Sequence, residues 1–282
     1  MSSSSVQPIV ALLGLPVAGN PAQYMFEQAF LHHGLDWRYL SLEVSPEGLA
    51  DAVRGMRAMG FRGGNCTEPH KQAIAPCLDR LTQPAELTGA VNCLYREENA
   101  LVGENTEGRG FLEAVRRRTD PAGKRAVLLG AGRMARAIAV ELALAKVAQV
   151  VVVNRSEPAA RALADLLSGK LGTAASLVVW DRPYQVPAET EVLVDATSPG
   201  EREPTAPVPL DLDLLTPETI VADVTFNPPR TWLVEQASGR GCPTIDGLEM
   251  FIEQAVLNFR LWTTIDPEPT VLREAVEEFL EL

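Results

Sequence analysis

The sequence predicts an α/β protein built from two domains. The chain is 282 residues long, about twice the usual single-domain length of roughly 150 residues. Short apolar runs alternate with amphipathic helical stretches through most of it, which is the pattern of strand–helix units. One apolar run, 125–130, leads through Gly130-Ala131-Gly132-Arg133-Met134-Ala135 into an alanine-rich helix. That strand, glycine loop and helix in succession form an arrangement that cradles a dinucleotide.

The elements read in order as follows. Residues 9–15 form a strand and 21–33 a helix ending at Gly34. Residues 37–44 alternate like a strand, and Ser45-Pro46-Glu47 caps a helix running to Met59. A turn at 60–64 and a short strand or loop at 63–69 lead to helical segments at 70–81 and 84–87. Residues 90–95 and 100–103 read as a hairpin around the polar stretch 97–99. A second unit starts near 108 with a helix over 108–118, after which Asp120-Pro121-Ala122-Gly123 makes a break. Strands then follow at 125–130, 149–153, 176–180, 191–195 and 219–224, with helices at 132–146, 157–168, 231–238, 247–262 and 268–281. The Pro- and Asp-rich stretch 199–217 reads as a loop, and Asp246 as the N-cap of the helix at 247.

Composition excludes several classes. The chain carries 25 Lys and Arg against 37 Asp and Glu, a formal charge of −12. That speaks against a binder of nucleic acid or of an anionic membrane, which needs clustered cations. Cys66, Cys77, Cys93 and Cys242 form no C-x-x-C pair, so neither a zinc ribbon nor a dithiol redox site is expected. The N-terminus MSSSSVQP has no positive segment, and the run 9–15 is too short to span a bilayer. The expectation is a metal-free cytoplasmic protein. His32 and His33 fall at a helix end, and no G-x-S-x-G elbow accompanies His70, which disfavours a serine hydrolase.

In the glycine loop, Gly130 permits the tight turn, Gly132 lets a pyrophosphate approach the backbone, and Ala135 keeps helix and strand close. The next strand ends at Asn154-Arg155-Ser156. An NAD site places a carboxylate there for the ribose hydroxyl; Arg155 instead suits a 2′-phosphate. The expected cofactor is NADP.

Several blocks in order resemble the shikimate dehydrogenase family over nearly the whole chain. They are Gly14-Leu15-Pro16-Val17-Ala18, Gly64-Asn65-Cys66-Thr67-Glu68-Pro69-His70-Lys71, Gly89-Ala90-Val91-Asn92 and Gly103-Glu104-Asn105-Thr106-Glu107-Gly108. The glycine loop, Asn154-Arg155-Ser156, Ala196-Thr197-Ser198-Pro199-Gly200, and Asp246-Gly247-Leu248 with Gln254 complete the set. The resemblance implies a discontinuous α/β substrate domain over 1–107 and 247–282, and an inserted Rossmann-type, doubly wound NADP domain over 108–246. It implies an active site in the cleft between them and reversible reduction of 3-dehydroshikimate to shikimate, a step of aromatic amino acid biosynthesis, by a monomer or homodimer. The implied catalytic residues are Lys71 and Glu107. Asn20, Asn65, Thr67, Asn92 and Gln254 would bind substrate. Gly130, Ala131, Gly132, Arg133, Met134, Ala135, Asn154, Arg155, Ser156 and Thr197 would bind cofactor.

The chain departs from that pattern at chosen points. The family's first motif ends in two hydroxyl residues that grip the substrate carboxylate; Asn20 and Ala22 stand there, and Ala22 offers no hydrogen bond. The catalytic aspartate is Glu107, the tyrosine expected after Asp223 is Phe226, and Ala159 fills the slot of a second basic residue, with Arg161 two places late. A polyhydroxylated ring ketone other than 3-dehydroshikimate is therefore expected as an alternative substrate, quinate-like acids and cyclitols included; a non-catalytic NADP-binding protein is the alternative of another class. Asn65 and Asn92 read either as hydroxyl binders or as turn residues, and Glu68 and His70 either as solvent-facing or as part of the site.

Overall fold

An apolar stretch with no charge forms β1 (Ile9–Gly14), buried along almost its whole length. The computed structural model describes residues 6–197 and 205–282. After β1 come α1 (Ala22–His32), β2 (Arg38–Glu43), α2 (Leu49–Ala58) and β3 (Gly63–Cys66). The Ser45 hydroxyl accepts from Gly48 N–H, so the expected cap is present and opens a short 3₁₀ turn ahead of α2. The helix expected over 70–81 does not form. Turns and a 3₁₀ turn at Ala75–Cys77 take its place, and β4 (Arg80–Leu81) pairs with a later strand. Pro76 inside that turn removes a helical donor, and Pro69 constrains its entry. Then follow α3 (Gln83–Thr88) and the hairpin β5 (Cys93–Glu97) and β6 (Ala100–Glu104), close to the expected one.

The chain continues through α4 (Thr106–Arg116), β7 (Arg125–Leu129), α5 (Arg133–Leu144), β8 (Gln149–Asn154), α6 (Glu157–Leu171), β9 (Ala174–Val179), β10 (Tyr184–Gln185) and β11 (Val192–Asp195). After these come β12 (Leu210–Asp211), β13 (Ile220–Asp223), α7 (Trp232–Gly239), β14 (Thr244–Ile245), α8 (Gly247–Thr263) and α9 (Pro269–Leu280). The stretch expected to be all loop contains β12, which pairs in parallel with β10; two residues are too few to leave a periodic signal.

The chain divides into two compact units, Met1–Thr106 with Gln254–Leu282, and Glu107–Glu253; the second division falls inside α8. In the first unit one sheet runs in the order β2-β1-β3-β5-β6-β4, with β2, β1 and β3 mutually parallel and β5 antiparallel to both β3 and β6. An aliphatic core of Ala11, Leu13, Leu49, Val53, Met56 and Leu94, among others, packs together. An aromatic cluster joins the helices to the strands: Phe26 lies 5.3 Å from Tyr39 and 4.8 Å from Trp262 between ring centroids, and Phe30 lies 5.4 Å from Phe259. The Trp262 indole N–H donates to the Leu94 carbonyl at 2.9 Å, so the buried ring leaves no donor unmet.

The second unit holds a six-stranded sheet in the order β14-β13-β11-β7-β8-β9, parallel throughout. Numbered by appearance, its strands run 3-2-1-4-5-6 from the β9 edge, the doubly wound arrangement of dinucleotide-binding domains. The strands VLVD, IVAD and RAVLL are nearly all buried, as a parallel sheet covered on both faces requires. The Asp246 carboxylate accepts from Glu249 N–H at 2.7 Å and caps α8, as the sequence predicts.

Replacing Phe26 with Ala is expected to cost about 3–5 kcal/mol, read as a lower urea midpoint followed by fluorescence of Trp37 and Trp262. An unchanged midpoint would show that the aromatic cluster can close over the gap.

Candidate functional site

In each unit, parallel strands deliver their following loops to one edge of a sheet, where open α/β sheets bind ligands. The first unit brings there the loops after β1, β2 and β3. The loop after β3 is held at every turn. Thr67 N–H donates to the Leu13 carbonyl at 2.9 Å, His70 N–H to Thr67 at 2.9 Å, and Val91 N–H to the Lys71 carbonyl at 2.7 Å. The Lys71 side chain is half-buried and Glu68 is exposed, whereas His70 is wholly buried. A solvent-facing His70 is therefore ruled out, while Glu68 does face solvent.

Asn65 and Asn92 are buried and stitched into the protein. The Asn65 Oδ1 accepts from the Tyr39 hydroxyl at 2.9 Å, and its Nδ2 donates to the Asn92 carbonyl at 3.1 Å. The Asn92 Oδ1 accepts from Thr106 N–H at 2.7 Å, its Nδ2 donates to Thr106 Oγ1 at 3.0 Å, and that hydroxyl donates to Asn258 at 2.7 Å. These bonds join the ends of β3 and β6 to the starts of β5 and α4 and to α8. Tyr39 and Asn258 belong to this network without having been singled out from sequence, because a lone Tyr or Asn in an apolar stretch carries no motif. Thr67 and Gln254 are half-buried in the same unit.

At the start of α1, Asn20 is half-buried and its Oδ1 accepts from Ala22 N–H at 3.0 Å. Ala22 is buried. The first exposed donor of the helix is thereby taken by the protein's own side chain.

The second unit carries the glycine loop and Glu107, which is buried in the first turn of α4, where the helix dipole favours a carboxylate. The loop fits a dinucleotide. Gly130 adopts φ +101°, and a Cβ on it would lie 2.8 Å from the Ala196 carbonyl. A Cβ on Gly132 would meet nothing within 4 Å, so the backbone there is open to a phosphate. Gly132 caps α5 without a side-chain bond, leaving the helix N-terminus to an anion. Ala135 is fully buried, while Arg133 is exposed and Ala131 and Met134 are half-buried.

Beyond β8, Arg155 and Ser156 are exposed, and Asn154 Nδ2 donates to the Ser156 carbonyl at 2.9 Å, shaping the turn that presents Arg155. Arg161 is paired with Glu157 one turn along α6. Thr197 N–H and Oγ1 both donate to Asp195 Oδ1, at 2.9 and 2.6 Å; Ser198, Pro199 and Gly200 lie outside the described residues. Phe226 is half-buried, its ring 5.2 Å from that of Phe251.

One feature of this edge escaped the sequence reading, although VLVD and IVAD show it. Asp195 and Asp223 end adjacent strands in register, both buried. Burial pushes the Asp195 carboxyl up to about 6, with the Asp223 charge adding to the effect and the Thr197 bonds opposing it. Burial also raises Asp223.

Among the described residues no group of three or more His, Cys, Asp or Glu is placed to hold a metal, and no helix is long and apolar enough to cross a membrane. The four cysteines are free thiols.

Residues 12–94 match the shikimate dehydrogenase substrate binding domain, 113–201 the shikimate/quinate 5-dehydrogenase family, and 247–277 the shikimate 5′-dehydrogenase C-terminal domain. The chain is 39% identical over 280 residues to the NADP(+) shikimate dehydrogenase of Methanopyrus kandleri, covering 96% of each chain. Among solved structures it is similar to 5-ketofructose reductase of Gluconobacter sp. strain CHM43, with TM-score 0.94 and 41% identity over 98% of this chain and 99% of that one. It is also similar to shikimate 5-dehydrogenase of Listeria monocytogenes in complex with shikimate and NAD, with TM-score 0.89 and 30% identity over 98% of both.

The aspartate pair sets a pH dependence. Asp195 titrates near 6 in the folded protein and near 3.8 ordinarily, so the unfolded chain loses this proton first as pH rises. The contribution of Asp195 to stability is full below about pH 4, falls between pH 4 and 6, and is flat above. Asp195→Asn keeps the acceptor for Thr197 and removes the charge. Its expected effect is a gain in Tm at pH 7 worth at most about 3 kcal/mol, and none near pH 4. A loss of stability at pH 7 would contradict the assignment.

Proposed function

The chain belongs to the shikimate dehydrogenase family, and on that premise we propose that it is an NADP-dependent oxidoreductase whose preferred substrate is an uncharged polyhydroxylated ketone. The observation that carries this reading is the start of α1. Where the family grips a carboxylate with two hydroxyls, this chain has Ala22, which has no side-chain donor, and Asn20, whose carbonyl oxygen occupies the Ala22 N–H at 3.0 Å. An anion there finds at most the one Nδ2 amide of Asn20 in place of two hydroxyl donors, whereas sugar-like hydroxyls, which both donate and accept, can pair with that amide as well. The similarity to 5-ketofructose reductase over essentially the full length of both chains supports the same class of substrate. A second reading, reduction of 3-dehydroshikimate itself, is favoured by Asn65, Thr67 and Lys71 in the catalytic-lysine block, in which Glu68 and His70 depart from the family, and by the shikimate dehydrogenases at 34–39% identity.

In this proposal NADPH, when bound, supplies the hydride. Lys71 as an ammonium polarises the ketone oxygen and delivers the proton that completes the alcohol, and in the reverse direction takes it back. Glu107, at the position of the family's catalytic aspartate, is the second acid–base group of the reaction. Asn65, Thr67, Asn92 and Gln254 orient ring hydroxyls, with Asn65 and Asn92 held rigid by the bonds already described. The cofactor's diphosphate would be held by the backbone of Gly130–Ala135 and its 2′-phosphate by Arg155.

Initial rates of NADPH oxidation test the substrate class. A ketose such as 5-ketofructose is expected to exceed 3-dehydroshikimate in kcat/KM, and Ala22→Ser to shift the ratio toward the acid by about tenfold, the worth of one charged hydrogen bond. A wild-type preference for 3-dehydroshikimate would favour the second reading instead. For the cofactor, Arg155→Ala is expected to weaken NADPH binding about tenfold or more while leaving NADH binding alone; equal losses for both, measured by calorimetry, would count against a 2′-phosphate contact.

A further inference from the structure

Three segments of the first unit are tied together where their strands end. The Gly14 carbonyl, at the end of β1, accepts from Val44 N–H at 3.0 Å, the last rung of the β1–β2 ladder, and so holds the start of the loop after β2. The Glu68 carbonyl accepts from Leu15 N–H at 3.0 Å, so the loop after β1 is bonded to the loop after β3. The ring closes through one side chain, His70, whose Nε2 stands 2.7 Å from the Val44 carbonyl. Packing reinforces the closure: Gly14 lies so near the third loop that a Cβ would fall 2.3 Å from Thr67 Cγ2.

The chemistry of His70 follows from that partner. A carbonyl can only accept, so Nε2 carries the proton and Nδ1 is the bare nitrogen. His70 is wholly buried, and among the described residues Nδ1 has no hydrogen-bond partner. Burying an acceptor without a partner is a cost, so the imidazole is retained for what Nε2 holds. An apolar ring of similar size would fill the space without that cost, but would release Val44.

Lys71 follows directly in the chain. Its carbonyl accepts from Val91 N–H at 2.7 Å, and the His70 carbonyl accepts from Ile74 N–H at 3.0 Å. The lysine therefore leaves the backbone between two anchors, Val91 on one side and, through His70, Val44 on the other. We propose that His70 is the positioning residue of Lys71: the Nε2–H bond to Val44 fixes the direction in which the lysine leaves its loop and, through the Val44 N–H bond to Gly14, couples that direction to the segment that leads into α1. The proposal rests on the reading of Lys71 as proton donor. It adds that the donor and the specificity segment 14–22 are parts of one hydrogen-bonded assembly.

Three substitutions separate this role from simple packing. His70→Gln keeps an amide N–H near the ε position, His70→Asn moves it to the δ position, and His70→Phe keeps a ring without a donor. In the full-length protein with NADPH and the ketose, Phe and Asn are expected to lower kcat roughly ten- to a hundredfold, as a misplaced catalytic group does, with Gln within about threefold of wild type. KM for NADPH is expected to hold in all three. Independently of turnover, the rate at which an amine-reactive acylating reagent modifies Lys71, read by peptide mass spectrometry, should change in Phe and Asn and return in Gln.

Wild-type kcat and labelling in His70→Phe would overturn the proposal, and so would equal losses in all three variants. Should His70→Phe fail to fold, the contrast between Gln and Asn still decides. Full turnover in Lys71→Ala would instead overturn the reading of the site, and the labelling series would then judge the clamp alone.

Discussion

Parallel strand pairing is the constraint from which the loop cluster of each unit follows. Strands that run the same way end on the same edge, so the segments that follow them must converge whatever their sequence. In the first unit this collects Gly14–Asn20 after β1, Val44 after β2 and Thr67–Lys71 after β3. In the second it collects Gly130–Ala135 after β7, Asn154–Ser156 after β8, Asp195–Thr197 after β11 and Asp223–Phe226 after β13. Residues scattered over more than two hundred positions become two local clusters because the hydrogen-bond ladders leave the chain no other exit.

That convergence has a cost in polar groups. Loops packed together at a sheet edge carry N–H and C=O groups that water no longer reaches, and each must find a partner. The first unit meets this need largely with carboxamides: Asn65 and Asn92 serve backbone groups and each other's neighbours, Tyr39 and Thr106 complete the set, and one buried carboxylate, Glu104, accepts from Asn105 N–H and the Thr82 hydroxyl. The second meets it with carboxylates, Asp195 turning back on Thr197 and Asp223 on Thr225 N–H at 2.9 Å. The choice matters electrically. An amide closes a turn without charge, while two buried carboxylates on adjacent strands repel, and both titrate high as a result of their surroundings. The same local task is done mostly by uncharged amides in one unit and by a pair of carboxylates on adjacent strands in the other.

This distinction also explains what was legible in the sequence. Long apolar strands such as 149–154 and the helix at 157–171 announce themselves by period and length, and the glycine loop by its place between strand and helix. The segment 70–81 did not, because its apolar residues fit a helical period while Pro76 and the pairing of Arg80–Leu81 with β6 dictate otherwise. Two-residue strands like β10 and β12 are fixed by their partners rather than by their own side chains. Within the site, residues with chemical signatures (Lys71, Arg155, the glycines) were visible as candidates. The partners of Asn65, His70 and Thr106, namely Tyr39, Val44 and Asn258, were not, since their contribution depends on contacts between segments far apart in the chain.

The same contacts indicate where such a site can change. The loop carrying Lys71 is bonded to Leu13 and Leu15, to Val44 and to Val91, so a substitution there disturbs three other segments at once. The start of α1 is different. Asn20 spends one bond on Ala22 two residues away, and Ala22 spends no side-chain bond at all. A change at 20 or 22 alters what the helix end offers a ligand while leaving the loops intact. On this argument a change at the loosely bonded helix start can alter substrate preference without moving the loop of the proposed proton donor, because local independence decides which positions can vary without disturbing the rest.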